Sequence, residues 1–453
     1  METTVAAVAT PSGHGGLGAV RISGVDAFSI ADKVFCSVSA RKIADTAGYR
    51  ALFGKVVNDG EAVDEAVALV FRAPKSYTGE NVVEISVHGG DFVVNRVLRA
   101  VLDAGAVLAE PGEFTKRAYL NGKMDLSQAE AVMDIISAEG DEALRAGLEQ
   151  LGGTVTKKCL EIKEKMTFAA ATVAAFSDFP DEEPEFSGID KLGSRLEEIK
   201  VELEKLVSDY DVGRMVKNGI NAVIVGPPNA GKSTLMNLLS GFEKSIVTPV
   251  AGTTRDVVEE TVNLGSVTLK LCDTAGIRDT EDTVEKIGVE RSRSRMDTAD
   301  LVLAVFDGSD GFTAEDEALS DSLNRDISLV VFNKSDKGQP DVSPAEKRGL
   351  QWVVMSAENG TGLDKLQEKI MQLTKTANLN GKAAVYLNER QRNCAKRSLK
   401  CINEAIDCAG VGFTVDAVGV LIDDALSALM EITGERVTVE VANEVFKRFC
   451  VGK

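Results

Sequence analysis

The run 226–233 reads GPPNAGKS, a glycine-rich turn closed by lysine and serine. That spacing suits phosphate. Glycines let backbone N–H groups close around phosphate oxygens, Lys232 can reach the β- and γ-phosphates, and the Ser233 hydroxyl is a ligand for Mg2+. Asn229, Ala230, Gly231 and Thr234 belong to the same loop. The strand-like NAVIVG precedes it and the helical TLMNLLSG follows, so a helix N-terminus adds its dipole to the anion site. A chance glycine-rich turn is the bland alternative, and this strand–loop–helix context argues against it.

Further motifs name the nucleotide. Asp273, Thr274, Ala275 and Gly276 end the strand pattern VTLKLCD, where an Asp can hold Mg2+ through water and a Gly amide can sense a γ-phosphate. Asn333, Lys334, Ser335 and Asp336 end ISLVVFN. The Asp336 carboxylate can accept from guanine N1–H and the 2-amino group. Adenine has neither donor and would leave that carboxylate unpaired. Ser356 and Ala357 end the last strand and suit a backbone contact to guanine O6. This ordered set, each motif at the carboxyl end of a strand, is specific for GTP. Hydrolysis needs a group other than the glutamine that many small GTPases carry just after the DxxG glycine, because Ile277 stands there. Glu285, in the acidic DTEDTVEKIG, is the preferred candidate, against the plainer reading of these carboxylates as solvated surface.

The elements around these motifs divide the chain. Over 215–378, NAVIVG, VTLKLCD, LVLAVFD, ISLVVFN and QWVVMS alternate with helical patterns, which predicts a mostly parallel sheet covered by helices. Residues 123–214 and 379–453 pattern as helices, so the α/β block reads as an insertion into one helical domain. Ser127 with Glu130 resembles a capping box, and Leu192, Leu196, Ile199, Leu203, Leu206 and Tyr210 make an apolar stripe. SDFPDEEPEFSG reads as an exposed acidic loop. Residues 1–122 read as α/β, with strands in VAAVAT, LGAVRIS, AVALVF and VVEISVHG and a helix from 91 to 102. The expected fold is therefore multidomain, α/β plus all-α.

Composition excludes several classes. The net charge of −19 argues against binding nucleic acid through overall charge, and Arg390, Arg392, Lys396, Arg397 and Lys400 are the candidate for a local basic patch. A solvated helix face is the plainer reading of those residues. The seven cysteines form no CxxC pair, and Cys394, Cys401 and Cys408 share one helix side, which reads as small-residue packing rather than a ligand stripe. Only two histidines, His14 and His88, are present, so a histidine-based metal or nucleophile site is not expected. No run is long and apolar enough to span a bilayer, and the opening METTVAAVATPSG has no signal or transit pattern. The expected location is a reducing cytoplasm, with no membrane.

The whole chain resembles the MnmE (TrmE) family of tRNA-modification GTPases. The segments ATPSGHGGLGAVRISG, YTGE, HGG and PGEFTKRAYLNGKMDLSQAEA look like that family's folate-binding domain and the start of its helical domain. The last residues, Cys450, Val451, Gly452 and Lys453, look like its C-(I/V/L)-G-K ending.

The resemblance implies a folate-binding and dimerisation domain over 1–122, a helical domain over 123–214 and 379–453, and a GTPase domain over 215–378. It implies a K+-activated GTPase that installs carboxymethylaminomethyl or aminomethyl groups at C5 of the wobble uridine of tRNA. The partner it implies is the flavoprotein MnmG (GidA), which carries FAD and joins in a heterotetramer. The one-carbon donor is a 5-formyl- or methylene-tetrahydrofolate. The resemblance also implies a homodimer whose GTPase domains pair transiently. Asn229, Thr248, Val250 and Thr253 would hold K+, and Thr254 would join Ser233 on Mg2+. Thr248 to Thr254, through Pro249, Ala251 and Gly252, would border the nucleotide. Glu285 matches the family's water-positioning glutamate, and Lys232 is the other catalytic candidate. Arg21, Glu80, Lys123 and Lys453 match positions that line the folate site. Cys450 has two readings, a nucleophile or a residue beside the folate pocket.

Two rivals stay in view. A ribosome-assembly GTPase would carry an appended basic RNA module such as a KH-like GXXG segment, and none is evident. A folate-dependent aminomethyl transferase in which GTP is only regulatory would modify tRNA without hydrolysable GTP.

Overall fold

The computed structural model describes residues 3–178, 191–208, 210–241, 259–264, 267–272, 296, 298–376, 385–411 and 415–453. It divides into two compact units, Met1–Met133 with Leu426–Lys453, and Asp134–Ala425.

In the first unit a seven-stranded sheet runs β3-β4-β5-β6-β2-β1-β7. Its strands are β1 (Val5–Val8), β2 (Gly18–Ser23), β3 (Phe35–Ser37), β4 (Arg50–Asn58), β5 (Glu61–Phe71), β6 (Val82–Val87) and β7 (Val107–Leu108). Neighbours are antiparallel except β1 with β7. In β5, Ala66, Ala68 and Val70 are buried while Glu65 and Val67 face out, so a single face enters the core. Helices α1 (Ala27–Val34) and α2 (Asp91–Asp103) cover that face. Val94, Val97 and Val101 of α2 recur at helical spacing and pack with Val20, Ile22, Val83 and Ile85. Burying one such valine contributes about 1.5–3 kcal/mol. Sequence patterning found β1, β2, β5, β6 and α2. It missed β4, whose Lys55 and Gly54 interrupt the apolar signal.

Next come α3 (Glu113–Leu120) and α4 (Leu126–Ile136). The box that opens α4 is not Ser127 with Glu130. Gln128 N donates to Asp125 Oδ1 at 2.9 Å, and Asp125 N donates back to Gln128 Oε1 at 3.0 Å. The capping carboxylate stands two residues earlier, and the Ser127 hydroxyl donates to the same Asp125 Oδ1 at 2.7 Å. The helix Val439–Lys447 packs Phe446 against Leu126 and Ala129.

The second unit opens with the helices α5 (Asp141–Leu151), α6 (Thr154–Asp178), α7 (Leu192–Ser208) and α8 (Tyr210–Asn218). The expected stripe is real: Leu192, Leu196, Ile199, Leu203, Leu206 and Tyr210 are all buried. A six-stranded sheet follows in the order β13-β12-β11-β8-β10-β9. Its elements are β8 (Ile220–Val225), α9 (Lys232–Gly241), β9 (Glu259–Leu264), β10 (Val267–Cys272), β11 (Leu301–Asp307), α10 (Ala314–Ser322), β12 (Ser328–Asn333), α11 (Ser343–Lys347), β13 (Gln351–Val354) and α12 (Leu363–Leu373). All pairings are parallel except β9 with β10, an antiparallel edge that the sequence patterning did not name. Alternate residues feed two cores. Ile224, Leu303, Val305 and Val331 pack on one face, and Val225, Ala304, Phe306 and Phe332 on the other. A strand buried on both faces must read as a continuous apolar run, as LVLAVF does.

Helices α13 (Glu389–Val411) and α14 (Val415–Thr433) complete the set, and α13 packs along α7. Cys394 of α13 is buried. Of the basic residues on α13, Arg392 stacks its guanidinium 4.2 Å over the Tyr210 ring, Arg397 lies 3.4 Å from Cys394 Sγ, and Lys400 pairs with Glu404 at 3.7 Å.

Candidate functional site

The glycine-rich loop leaves β8 at Gly226, beside the point where strand order reverses between β8 and β11. A Cβ on Gly226 would stand 2.1 Å from Val305 O, and φ is +149°, so only glycine lets the loop start this close to β11. Gly231 is held as tightly, its Cβ position 2.1 Å from Asn333 Nδ2 at φ +95°. Asn229 adopts φ +60° and its side chain is exposed. Lys232 opens α9 half-buried, its Nζ donating to Gly226 O at 2.8 Å and Pro227 O at 2.7 Å. Burial lowers its pKa below the usual lysine value. Ser233 and Thr234 follow, exposed, on the first turn.

Asn333 ends β12 and is 3% exposed. Its Nδ2 donates to Ala230 O at 3.0 Å, and its Oδ1 accepts from Ala357 N at 2.8 Å. One carboxamide thus spaces the phosphate loop against the loop after β13. Its neighbour Lys334, at φ +63°, pairs with Asp307 Oδ2 at 2.5 Å. Burial pushes the Asp307 carboxyl up, but Lys334 and the Ser309 hydroxyl and amide outweigh it and bring the pKa to about 2. Ser356 Oγ donates to Asp336 Oδ1 at 2.6 Å, which with Lys337 and Lys334 holds that carboxyl below its ordinary value. Asp336 is otherwise exposed.

The structure therefore brings together Asn229, Ala230, Gly231, Lys232, Ser233, Thr234, Asn333, Lys334, Asp336, Ser356 and Ala357 around the carboxyl ends of β8, β12 and β13. Asp307 was missed by sequence reasoning, although its place at the end of the apolar run LVLAVFD was a signal. Thr248, Pro249, Val250, Ala251, Gly252, Thr253, Thr254, Asp273, Thr274, Ala275, Gly276, Ile277 and Glu285 lie outside the described residues. Of the expected cation ligands, Ser233 and Asn229 are described. Both are exposed oxygen donors next to the phosphate loop, as a hard cation requires.

A second cluster lies in the first unit. Arg21 of β2 pairs with Glu84 through Nε at 2.8 Å and donates from Nη1 to Gly452 O at 3.1 Å. Its guanidinium lies 5.4 Å from the Phe114 ring centre and 5.8 Å from that of Tyr77. Glu80 accepts from Ser23 Oγ at 2.7 Å and pairs with Arg117 at 3.0 Å. Lys123 is exposed and donates to Pro74 O at 3.2 Å. The segment 450–453 meets α3 through its backbone: Gly112 N donates to Cys450 O at 3.3 Å and Phe114 N to Lys453 O at 3.2 Å. The Cys450 side chain is exposed. Sequence reasoning missed Arg117, Glu113 and Ser23. Glu113 and Arg117 were legible as a helical i,i+4 pair within PGEFTKRAYLNGKMDLSQAEA.

Comparison with known proteins matches residues 4–123 to the family described as GTP-binding protein TrmE N-terminus, and residues 126–450 to the MnmE helical domain. A protein of Carboxydothermus hydrogenoformans named tRNA modification GTPase MnmE is 42% identical over 460 residues, covering 100% of both chains. Its namesake in Geobacter sulfurreducens is 41% identical over 457 residues, also covering 100% of both. Among solved structures, a crystal structure of Era in complex with MgGDPNP and part of 16S ribosomal RNA matches 40% of this chain and 66% of that one, at 30% identity and TM-score 0.28.

Proposed function

This chain belongs to the MnmE (TrmE) family of tRNA modification GTPases, and we propose from that premise that it hydrolyses GTP in the modification of the tRNA wobble uridine. The observation that carries the GTP reading is the Asn333 bridge from Ala230 to Ala357, with Asp336 and Ser356 beside it. It sets a phosphate-binding loop and a guanine-reading carboxylate at a fixed spacing.

In this reading Lys232 reaches the β- and γ-phosphates, Asp336 accepts from the guanine N1–H and 2-amino group, and the Ala357 loop meets O6. Ser233 and Thr254 hold Mg2+, and Asn229, Thr248, Val250 and Thr253 hold K+, cations that offset charge developing between the phosphates. Glu285 orients the attacking water in place of the glutamine that Ile277 replaces. Hydrolysis drives pairing and parting of GTPase domains in a homodimer.

The same reading gives residues 1–122 to folate binding and dimerisation, 215–378 to the GTPase domain, and 123–214 with 379–453 to the helical domain. Arg21, Glu80, Lys123 and Lys453 line the site for a 5-formyl- or methylene-tetrahydrofolate. The flavoprotein MnmG supplies FAD and shares the chemistry at uridine C5. A cytoplasmic site of action follows from the tRNA substrate, and no described helix is long and apolar enough to cross a membrane.

The test is GTP turnover in KCl and NaCl at matched ionic strength, then tRNA modification with the flavoprotein, with and without hydrolysable GTP. Turnover should be much faster in KCl, and modification should require hydrolysis. Equal rates in the two salts remove the K+ site. Modification without hydrolysis leaves GTP a regulatory role only.

A further inference from the structure

A buried cation stands behind Glu80. Arg117 of α3 is 1% exposed. Its Nη1 reaches both Glu80 oxygens, at 3.0 and 3.2 Å, and Thr3 O at 2.9 Å, while its Nε donates to Glu113 at 3.0 Å. A guanidinium is kept out of water only when matched acceptors surround it. Here it divides its fork between two acids: Nη1 spans both Glu80 oxygens, Ser23 adds a second donor on Oε2, and the remaining acceptor capacity lies on Oε1 of a side chain that is 14% exposed.

The loop carrying Glu80 is clamped from several sides. Ser76 Oγ donates to Glu80 O at 2.6 Å, and Glu80 N donates to Thr78 Oγ1 at 3.2 Å. Asn121 Nδ2 donates to Thr78 O at 2.7 Å, and the Tyr77 hydroxyl bonds that of Thr115 at 2.9 Å. Ser23 Oγ, fully buried, gives its one proton to Glu80, so the Thr78 hydroxyl must donate to Ser23 in turn, at 2.8 Å.

We propose that Arg117 is a positioning residue that acts through Glu80. It fixes the carboxylate so that Glu80 Oε1 accepts from a ligand amino group, such as the 2-amino group of a reduced folate's pteridine. The uncommitted carboxylate oxygen selects an N–H donor and disfavours an anionic group. The inference rests on the folate reading of this pocket and adds what orients its carboxylate.

Calorimetric titration of the full chain with 5-formyltetrahydrofolate and with its 2-desamino analogue tests this. Arg117→Lys should weaken the folate about tenfold and Ser23→Ala about threefold, whereas in a Glu80→Gln background each should matter by less than about twofold. The 2-desamino analogue, lacking the donor that Glu80 reads, should respond to neither. Equal losses for both ligands, or losses that persist beside Glu80→Gln, would make Arg117 merely structural and overturn the proposal. If Arg117→Lys lacks a cooperative thermal transition, Ser23→Ala carries the same comparison. No binding by the unaltered chain overturns the folate reading and the proposal with it. Binding with additive losses overturns the positioning role alone.

Discussion

The main-chain amide of Phe114 donates to the carbonyl of Lys453 at 3.2 Å, so the end of the sequence caps the first turn of α3. Gly112, at the N-cap, has no side chain to do this, and its own amide is taken by Cys450 O. Gly452 makes the fit possible: at φ +94° its Cβ position lies 2.1 Å from Val8 O. Gly452→Ala should therefore lift the segment from β1 and destabilise the first unit by about 1–3 kcal/mol. Removing residues 450–453 should weaken 5-formyltetrahydrofolate binding while GTP hydrolysis continues, since the described residues of the candidate nucleotide site lie in the other unit. Full folate affinity in the shortened chain, by calorimetry, would exclude the segment from the pocket.

Asp336→Asn should move nucleotide preference from GTP toward XTP. Xanthine carries a 2-oxo group where guanine has an amine, so an amide donor suits it. Loss of the paired acceptor should cost GTP roughly 2–4 kcal/mol of relative affinity. Competition binding of the two nucleotides gives the ratio directly, and an unchanged ratio means Asp336 does not read the base.

Glu285→Ala should lower kcat by about 100-fold or more with GTP binding nearly intact, because a group that orients water acts mainly in the transition state. Near-normal turnover under saturating GTP would remove Glu285 from the mechanism.

His88 and Asp64 form a pH-dependent pair, with Nδ1 2.8 Å from Asp64 Oδ1. The Asp64 hydrogen bond and charge raise the His88 pKa. Burial pushes Asp64 up, but its bonds from the His88 amide and ring outweigh that and hold it below its ordinary value. A raised histidine pKa gives stability that is present below about pH 6.5 and is lost as pH rises through the folded value. A lowered Asp pKa gives stability that is lost only as pH falls through the folded carboxyl value. The window thus lies between the two ranges, about pH 4.5–6. His88→Gln should be less stable than the unaltered chain at pH 5.5 and nearly matched at pH 8.5 in denaturant unfolding. The same gap at both pH values would show that the pair does not titrate in this way.

The described part of the candidate nucleotide site was legible in the sequence because its parts are local. GPPNAGKS, NKSD and SA each combine a strand end with a short loop, and the apolar runs before them announce strands buried on both faces. The stripe on α7 was legible for a similar reason, since helical spacing is written within one turn of sequence. Tertiary structure alone decided what joins distant segments. Nothing in the spacing of Asn333 announces that its carboxamide spans Ala230 and Ala357, or that Lys334 is matched by Asp307. The antiparallel edge β9 and the Asp125 cap of α4 depended on which partner won a backbone bond. In the first unit, Arg117, Glu80 and Ser23 come from separate elements, and the segment 450–453 reaches α3 through backbone carbonyls that carry no side-chain signature. Local periodicity records what a residue must bury. Only the packed chain decides which distant donor or acceptor satisfies a buried polar group, because that choice depends on close approach between segments.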